Sequence, residues 1–237
     1  MGHLPLLIVK TGSTLPAIAT RRGDFEDWIL GGMRLDAAAA RVVRVDRDEA
    51  LPSPGEVRGV VVTGSAAMVS DRAPWSERTG QWLARATEAG TPILGICYGH
   101  QLLAHALGGR VGMNPRGREI GTIDVTLTEA GERDALLGVL PRRFRVQATH
   151  LEAVLELPPG ARVLAANALD PHQAFAIDDR CWAVQFHPEA DAEIITGYIA
   201  ARAALIREEG QDPDALIARA TDTAHGAAIL RRFAELM

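Results

Sequence analysis

Residues 92–109, "PILGICYGHQLLAHALGG", constrain the fold more than any other stretch of the chain. A short apolar run of the kind that forms a buried strand passes without a linker into a helix-like pattern, and Cys97 stands at the join between Gly95 and Gly99. A strand that turns directly into a helix belongs to an α/β architecture. The small residues two places either side of the cysteine suit a sharp turn in which larger side chains would collide. Such a turn presents its central side chain at the sheet's carboxyl edge. The helix behind it directs free N–H groups at the sulfur, which favours the thiolate.

Other segments carry the same alternation. Buried-strand patterns occur at 6–12, 41–46, 57–64 and 92–99, and residues 74–90 read as a helix with Pro74 near its start and Gly90 just past its end. Strand and helix in alternation predict a doubly wound, mostly parallel sheet with helices on both faces. After residue 110 the segments 120–128, 144–150, 161–167, 172–178 and 181–186 follow one another across short turns, which predicts a smaller antiparallel or mixed region. From residue 191 the chain is alanine-rich and helical, with a fresh helix start at 212–220 after a break at Gly210. The expected organisation is one domain over 1–237, with a catalytic core at about 4–190 and a C-terminal helical extension at about 191–237.

Composition excludes several classes. The 237 residues carry a net charge of −5 and 23% charged side chains, with no clustered basic excess of the kind nucleic acid requires. Lys10 is the only lysine, so positive charge is almost entirely arginine, and we read this with the abundant alanine as compositional bias. No apolar run approaches the roughly 18 residues that span a bilayer, and "LPLLIV" lacks the basic flank and cleavage site of a secretory signal. With Cys97 and Cys181 alone, no disulfide framework is expected. A cytoplasmic location without membrane or nucleic-acid partners follows as the expectation. Neither zinc-ligand spacing nor a phosphate-binding glycine loop is present. His100 and His105 stand five apart on the helix after the turn, which suits packing or capping better than metal ligation. Cys181 sits in an apolar strand and reads as core.

A single cysteine at a turn is as often a small buried hydrophobe as a nucleophile. What shifts the reading is "QFHPE" at 185–189. A thiol nucleophile needs a base beside it and a carboxylate to orient that base. His187 and Glu189 are two apart, so on extended chain both would project to one face, and Pro188 biases His187 toward that conformation.

Together, "PILGICYGHQLLAHALGG" and "VQFHPE" resemble the class I glutamine amidotransferases, and in particular the amidotransferase domain of GMP synthase and its free-standing relatives. The resemblance covers about residues 4–190. It implies that Cys97 is the nucleophile, His187 the general base and acid, and Glu189 the orienting carboxylate. A γ-glutamyl thioester would form and be hydrolysed, without metal or organic cofactor. The resemblance further implies an oxyanion hole from the backbone N–H of Tyr98 and, in "TGSAA", of Ser65. Gly64 keeps the first glycine of the family's Gly-Gly-Pro-like run, and Ser65 and Ala66 depart from it. Gln101 matches the family glutamine that contacts the substrate's amino-acid end. "ATHLEAV" resembles a Ser-His-Gly-Asp-like loop, which assigns Thr149, His150 and Leu151 to substrate binding, with leucine where the family has glycine. Taken alone, His150 reads equally as a surface histidine at a strand end. "GREIG" at 117–121 resembles a family turn with a structural role.

The ATP-pyrophosphatase loop of GMP synthase is absent, so activation of an acceptor within this chain is not expected. Two enzymatic expectations follow. One is a glutaminase that passes ammonia to a separate synthetase. The other is a self-contained hydrolase of γ-glutamyl amines or peptides. A third, a regulatory module without catalysis, is disfavoured by the presence of all three triad residues. Self-association through the C-terminal helices is left open at this level.

Overall fold

The computed structural model describes residues 4–237. Four parallel strands, β1 (Leu6–Lys10), β2 (Ala40–Arg44), β3 (Gly59–Val62) and β4 (Ile93–Ile96), begin a nine-stranded sheet. The two-stranded sheet pairs β5 (Arg110–Met113) with β8 (Glu152–Glu156). The large sheet continues through β6 (Glu119–Leu127), β7 (Arg143–His150), β9 (Arg162–Ala166), β10 (Ala174–Ile177) and β11 (Cys181–Val184) in the order β2-β1-β3-β4-β11-β10-β9-β6-β7. β11 lies parallel to β4, and the pairings beyond it are antiparallel.

Strand alternation divides the core into two layers. In β1, Leu6 and Ile8 face one layer while Leu7 and Val9 face the other. In β3, Val61 goes to the first and Val60 and Val62 to the second. The first layer is closed by α2 (Phe25–Met33), α6 (Ala192–Ala201) and α9 (His225–Leu236). The second is closed by α3 (Pro74–Glu88) and α4 (Tyr98–Ala106). Both faces of β1, β3 and β4 are buried, which is why they read as continuous apolar runs rather than alternating ones, whereas β2 is the half-exposed edge strand.

The strand order reverses beside β1. The chain leaves β1 toward β2 through α1 (Pro16–Arg22) and α2, whereas β3 leads to β4 through α3 on the opposite face. The loops after β1 and β3 thus part at the carboxyl edge of the sheet and open a crevice there, the usual ligand position in such folds.

Sequence expectations for the strands hold to within a few residues at each end. Three features differ. The pair β5 and β8 escaped the pattern because β5 is half exposed and β8, though largely buried, is a short run bounded by charge, Glu-Ala-Val-Leu-Glu. The segment 16–33 forms two helices set by local signals, Pro16 at the first turn of α1 and a capping box at Asp24 and Asp27 opening α2. The helical tail is broken into α6, α7 (Ala203–Glu208), α8 (Pro213–Arg219) and α9, with α5 (Glu129–Glu132) a single turn between β6 and β7. Among the described residues no helix is long and apolar enough to cross a membrane.

Candidate active site

Cys97 adopts φ 52° and ψ −98° between β4 and α4. For a residue with a β-carbon this conformation costs about 1–3 kcal/mol, so its surroundings must enforce it. They do so through the two glycines. A β-carbon on Gly95 would lie 2.6 Å from the carbonyl oxygen of Gly99, and one on Gly99 would lie 2.5 Å from that of Val62. Only glycine lets α4 start this close to β3 and β4. The Cys97 N–H donates to Val184 O at 2.9 Å, continuing the β4–β11 ladder one residue past the strand. That bond sets the thiol beside the end of β11, from which His187 follows three residues later.

The histidine and glutamate meet through a turn, which corrects the expectation of an extended chain. His187 N–H donates to Gln147 O at 2.7 Å, and the Ala190 N–H closes back onto His187 O at 3.3 Å. Residues 187–190 therefore form a tight turn with Pro188 at its second position, where a φ fixed near −65° is favoured. Within it His187 Nδ1 and Glu189 Oε1 lie 2.7 Å apart. With Nδ1 so engaged, Nε2 is buried and has no hydrogen-bond partner among the described residues. His187 Cε1 and Cys97 Cβ both close on Gly64, at 2.9 Å and 3.8 Å from where its β-carbon would stand. Phe25 stacks on the His187 ring with centroids 6.3 Å apart and planes at 18°.

These contacts set the charges. Burial alone would raise the Cys97 thiol, but the neighbouring His187 outweighs it, and the net shift is downward from the ordinary 9.0. Burial would likewise neutralise His187, yet the carboxylate of Glu189 and the negative charge of the thiolate carry it well above 6.5. The pair favours thiolate and imidazolium. Cys181 lacks such a neighbour, and burial pushes its thiol up to about 12.

The loop after β3 is anchored by two threonines. Thr11 N–H donates to Thr63 Oγ1 at 3.1 Å, and the hydroxyls of Thr11 and Thr63 both reach Gly64 O, at 2.9 and 3.0 Å. A trans peptide sends its C=O and N–H in opposite directions, so the Ser65 N–H points away from Thr11. The Ser65 hydroxyl donates to Thr11 O at 2.8 Å and accepts from the Ala67 N–H at 3.1 Å, fixing the loop without the family's second glycine. Tyr98 is the first residue of α4, so its N–H has no intrahelical acceptor. Its side chain points the other way, with the hydroxyl 2.6 Å from Ser76 Oγ and the ring stacked on Trp75.

Two narrow clefts meet at Cys97. One is lined by Ser65, Tyr98, Gln101, Thr149, His150, Leu151 and Glu152 among others, and it also receives Arg118 and Arg202. The second lies on the His187 side and includes Ser13, Leu15, Phe25, Tyr198 and Arg202. The structure thus gathers Cys97, Tyr98, Ser65, Gln101 and 149–151 around one cavity, with Gly64 and His187 against its edge and Glu189 behind. His150 is buried rather than at the surface. Its Nε2 is 2.9 Å from Glu119 Oε2 and its Nδ1 3.0 Å from Glu152 O, so both ring nitrogens are engaged by the protein. Burial opposes its charge, but Glu119 raises its pKa overall. The segment "GREIG", expected as a turn, instead opens β6, and Glu119 at the start of that strand also accepts from Asn167 and Gln173, making it the hub of a buried polar network. His100 packs in the core against His172 O, and burial brings its pKa down to about 3. His105 instead pairs with Glu77.

Glu152 was not anticipated. One carboxylate oxygen accepts from the Val69 N–H at 2.9 Å, while the other is buried without a partner among the described residues. Beside it, the amide nitrogen of Gln101 donates to Glu152 O and Gln185 Oε1, at 2.9 and 3.0 Å. Its position directly after "ATHL", as the acidic residue ending the four-residue loop, was the available signal.

A doubly wound α/β fold thus presents a cysteine elbow, a histidine–glutamate turn and a two-armed cleft together at one edge of its sheet. Residues 25–200 match the family described as glutamine amidotransferase class-I, and the chain belongs to that family. It is 42% identical over 141 residues to the glutamine-hydrolysing GMP synthase of Aeropyrum pernix, a match spanning 60% of this chain and 25% of that protein. It is 33% identical over 143 residues to a single subunit of the glutamine-hydrolysing GMP synthase of Pyrococcus abyssi, covering 59% of this chain and 74% of that one. Gamma-glutamyl peptidase 4 of Arabidopsis thaliana is 30% identical over 139 residues, 58% of this chain and 55% of the peptidase. Among solved structures, a glutamine amidotransferase of Thermotoga maritima superposes with a TM-score of 0.76, covering 99% of this chain and 98% of that one at 22% identity, which supports the fold.

Proposed function

We propose that the protein hydrolyses the γ-amide bond of a γ-glutamyl compound through a thioester on Cys97. The observation that carries this is the strained cysteine backbone beside a buried histidine whose Nδ1 is held 2.7 Å from Glu189. The Cys97 thiolate adds to the amide carbon. The resulting oxyanion takes hydrogen bonds from the Tyr98 and Ser65 N–H groups, each worth about 3–4 kcal/mol in comparable sites. His187 gives its proton to the departing nitrogen as the C–N bond breaks. Water then attacks the thioester, His187 takes up its proton, and glutamate leaves as the sulfur regains its charge. The unpartnered oxygen of Glu152 and the Gln101 amide oxygen offer acceptors for the substrate's α-ammonium group, with Thr149 and Leu151 along the same wall.

Glutamine is the simplest such substrate. Similarity to GMP synthases, including one that is a subunit rather than a whole synthase, supports release of ammonia toward a separate synthetase. A second reading, a self-contained γ-glutamyl hydrolase, is favoured by the similarity to gamma-glutamyl peptidase 4 and by a second, small cleft on the His187 side, toward which the leaving amine would depart. The test is glutamate release from glutamine and from γ-glutamyl amines, with trapping of the acyl-enzyme by hydroxylamine as γ-glutamyl hydroxamate. Turnover and trapping that vanish in Cys97→Ala support the mechanism. Turnover that survives in that variant rules it out.

A further inference from the structure

Arg202 follows α6 and lies beyond the 25–200 segment that matches the family. It reaches both clefts at Cys97. Its guanidinium lies 4.9 Å from the centre of the Tyr198 ring, and the Tyr198 hydroxyl is itself held 2.6 Å from Thr14 Oγ1. One guanidinium nitrogen, Nη1, is shut away from solvent and has no acceptor among the described residues. The other arginine of the cavity, Arg118, is already engaged by both oxygens of Glu209 at 2.8 and 3.0 Å. Leaving a charged donor buried and unpaired is costly, and the Tyr198 ring packs against this one. It has the character of a group waiting for an anion.

Its position says which anion. The glutamyl part of a substrate lies along Gln101 and Thr149–Glu152, in the cleft on the far side of Cys97 from His187. The amine that leaves must depart past His187, which supplies its proton. The cleft there is lined by Leu15 and Phe25, with Arg202 as its one charged side chain besides the Cys97–His187 pair. Building on the hydrolysis proposed above, we infer that Arg202 binds a carboxylate on the leaving amine, so that the preferred substrates are γ-glutamyl amino acids or peptides with an apolar residue after the scissile bond. A guanidinium suits a carboxylate because two parallel N–H groups match its two oxygens. Leu15, half-buried in the lining of that cleft, then flanks the apolar side chain of that residue.

The test compares γ-glutamyl-leucine, γ-glutamyl-leucinamide and glutamine as substrates of the wild-type protein, Arg202→Gln and Arg202→Lys. The acid is expected to exceed its amide in kcat/KM by about 10- to 100-fold, the range for loss of one charge-assisted hydrogen bond. In R202Q that preference is expected to collapse to within a few-fold of unity, and in R202K to recover in part. Equal use of acid and amide by the wild type, or an equal loss on both in a folded R202Q, overturns the inference. Binding of the same two ligands to Cys97→Ala by calorimetry separates this inference from the hydrolysis reading. Preferential binding of the acid that R202Q/C97A loses supports the carboxylate subsite even if the wild type proves inactive. Absence of any preference there refutes it even if γ-glutamyl hydrolysis is established.

Discussion

Replacing Gly64 by alanine tests the geometry of the triad with one methyl group. The backbone of Gly64 is not in the positive-φ region, so alanine brings no conformational penalty of its own. Its β-carbon would, however, lie 2.9 Å from His187 Cε1, where ordinary van der Waals contact begins at 3.4 Å. The imidazole must therefore retreat by about half an ångström, given that misplacement of about 1 Å can cost a hundredfold in rate. Retreat is resisted on two sides. Glu189 holds Nδ1 at 2.7 Å and Phe25 stacks against the ring. We expect kcat to fall about 10- to 100-fold with KM changed much less. The thiol of Cys97 should move back up toward its ordinary value as His187 withdraws. Both are measurable: kcat with any γ-glutamyl substrate, and the thiol by the pH dependence of iodoacetamide alkylation, which needs no turnover. Wild-type kcat together with an unshifted alkylation profile in a folded G64A protein would refute the argument.

Three further outcomes follow from the same geometry. Alkylation of Cys97 and turnover should share an acid limb at the lowered thiol pKa, below 9.0, and turnover should fall again at alkaline pH as His187 deprotonates above 6.5. In stability terms, the depressed thiol contributes above its unfolded value and loses that contribution as pH falls through its folded one, while the raised His187 contributes below its unfolded value and loses it as pH rises through its folded one. A purely rising activity profile with no alkaline limb would contradict the ion pair. Tyr98→Phe removes only the buried hydroxyl bonded to Ser76, so thermal melting should show a loss of about 1–2 kcal/mol, whereas kcat should stay within a few-fold, since the oxyanion donor assigned there is the backbone N–H. Glu189→Gln should lower kcat less than His187→Ala does, because the carboxylate orients and stabilises the imidazolium without carrying the proton. An equal loss in the two folded variants would assign Glu189 a different part.

Much of this site could be read along the chain because the elbow is local. Gly95, Cys97 and Gly99 lie within five residues, and the collisions that demand glycine at both ends arise from the strand–helix turn they themselves build. The pairing of His187 with Glu189 is local too, though sequence suggested an extended chain where a turn around Pro188 forms. The strands β1, β3 and β4 announced themselves as apolar runs since both their faces are buried. The strands β5 and β8 did not, because β5 is half exposed, β8 begins and ends in glutamate, and each gains its partner only from the other, some forty residues away.

What sequence by itself determined, then, is what neighbours in the chain can impose: the strand–helix elbow at Cys97, the pairing of His187 with Glu189, and the α/β alternation that brings them to a sheet edge. Tertiary structure decided everything that depends on residues distant in sequence. The orientation of the Ser65 peptide rests on Thr11, over fifty residues earlier. The engagement of His150 rests on Glu119, thirty-one residues away. The Nη1 donor of Arg202 has no acceptor among the described residues because the Tyr198 ring and the clefts around Cys97 surround it. An unpaired charge is a property of a place in the fold, and no pattern of neighbouring residues encodes it.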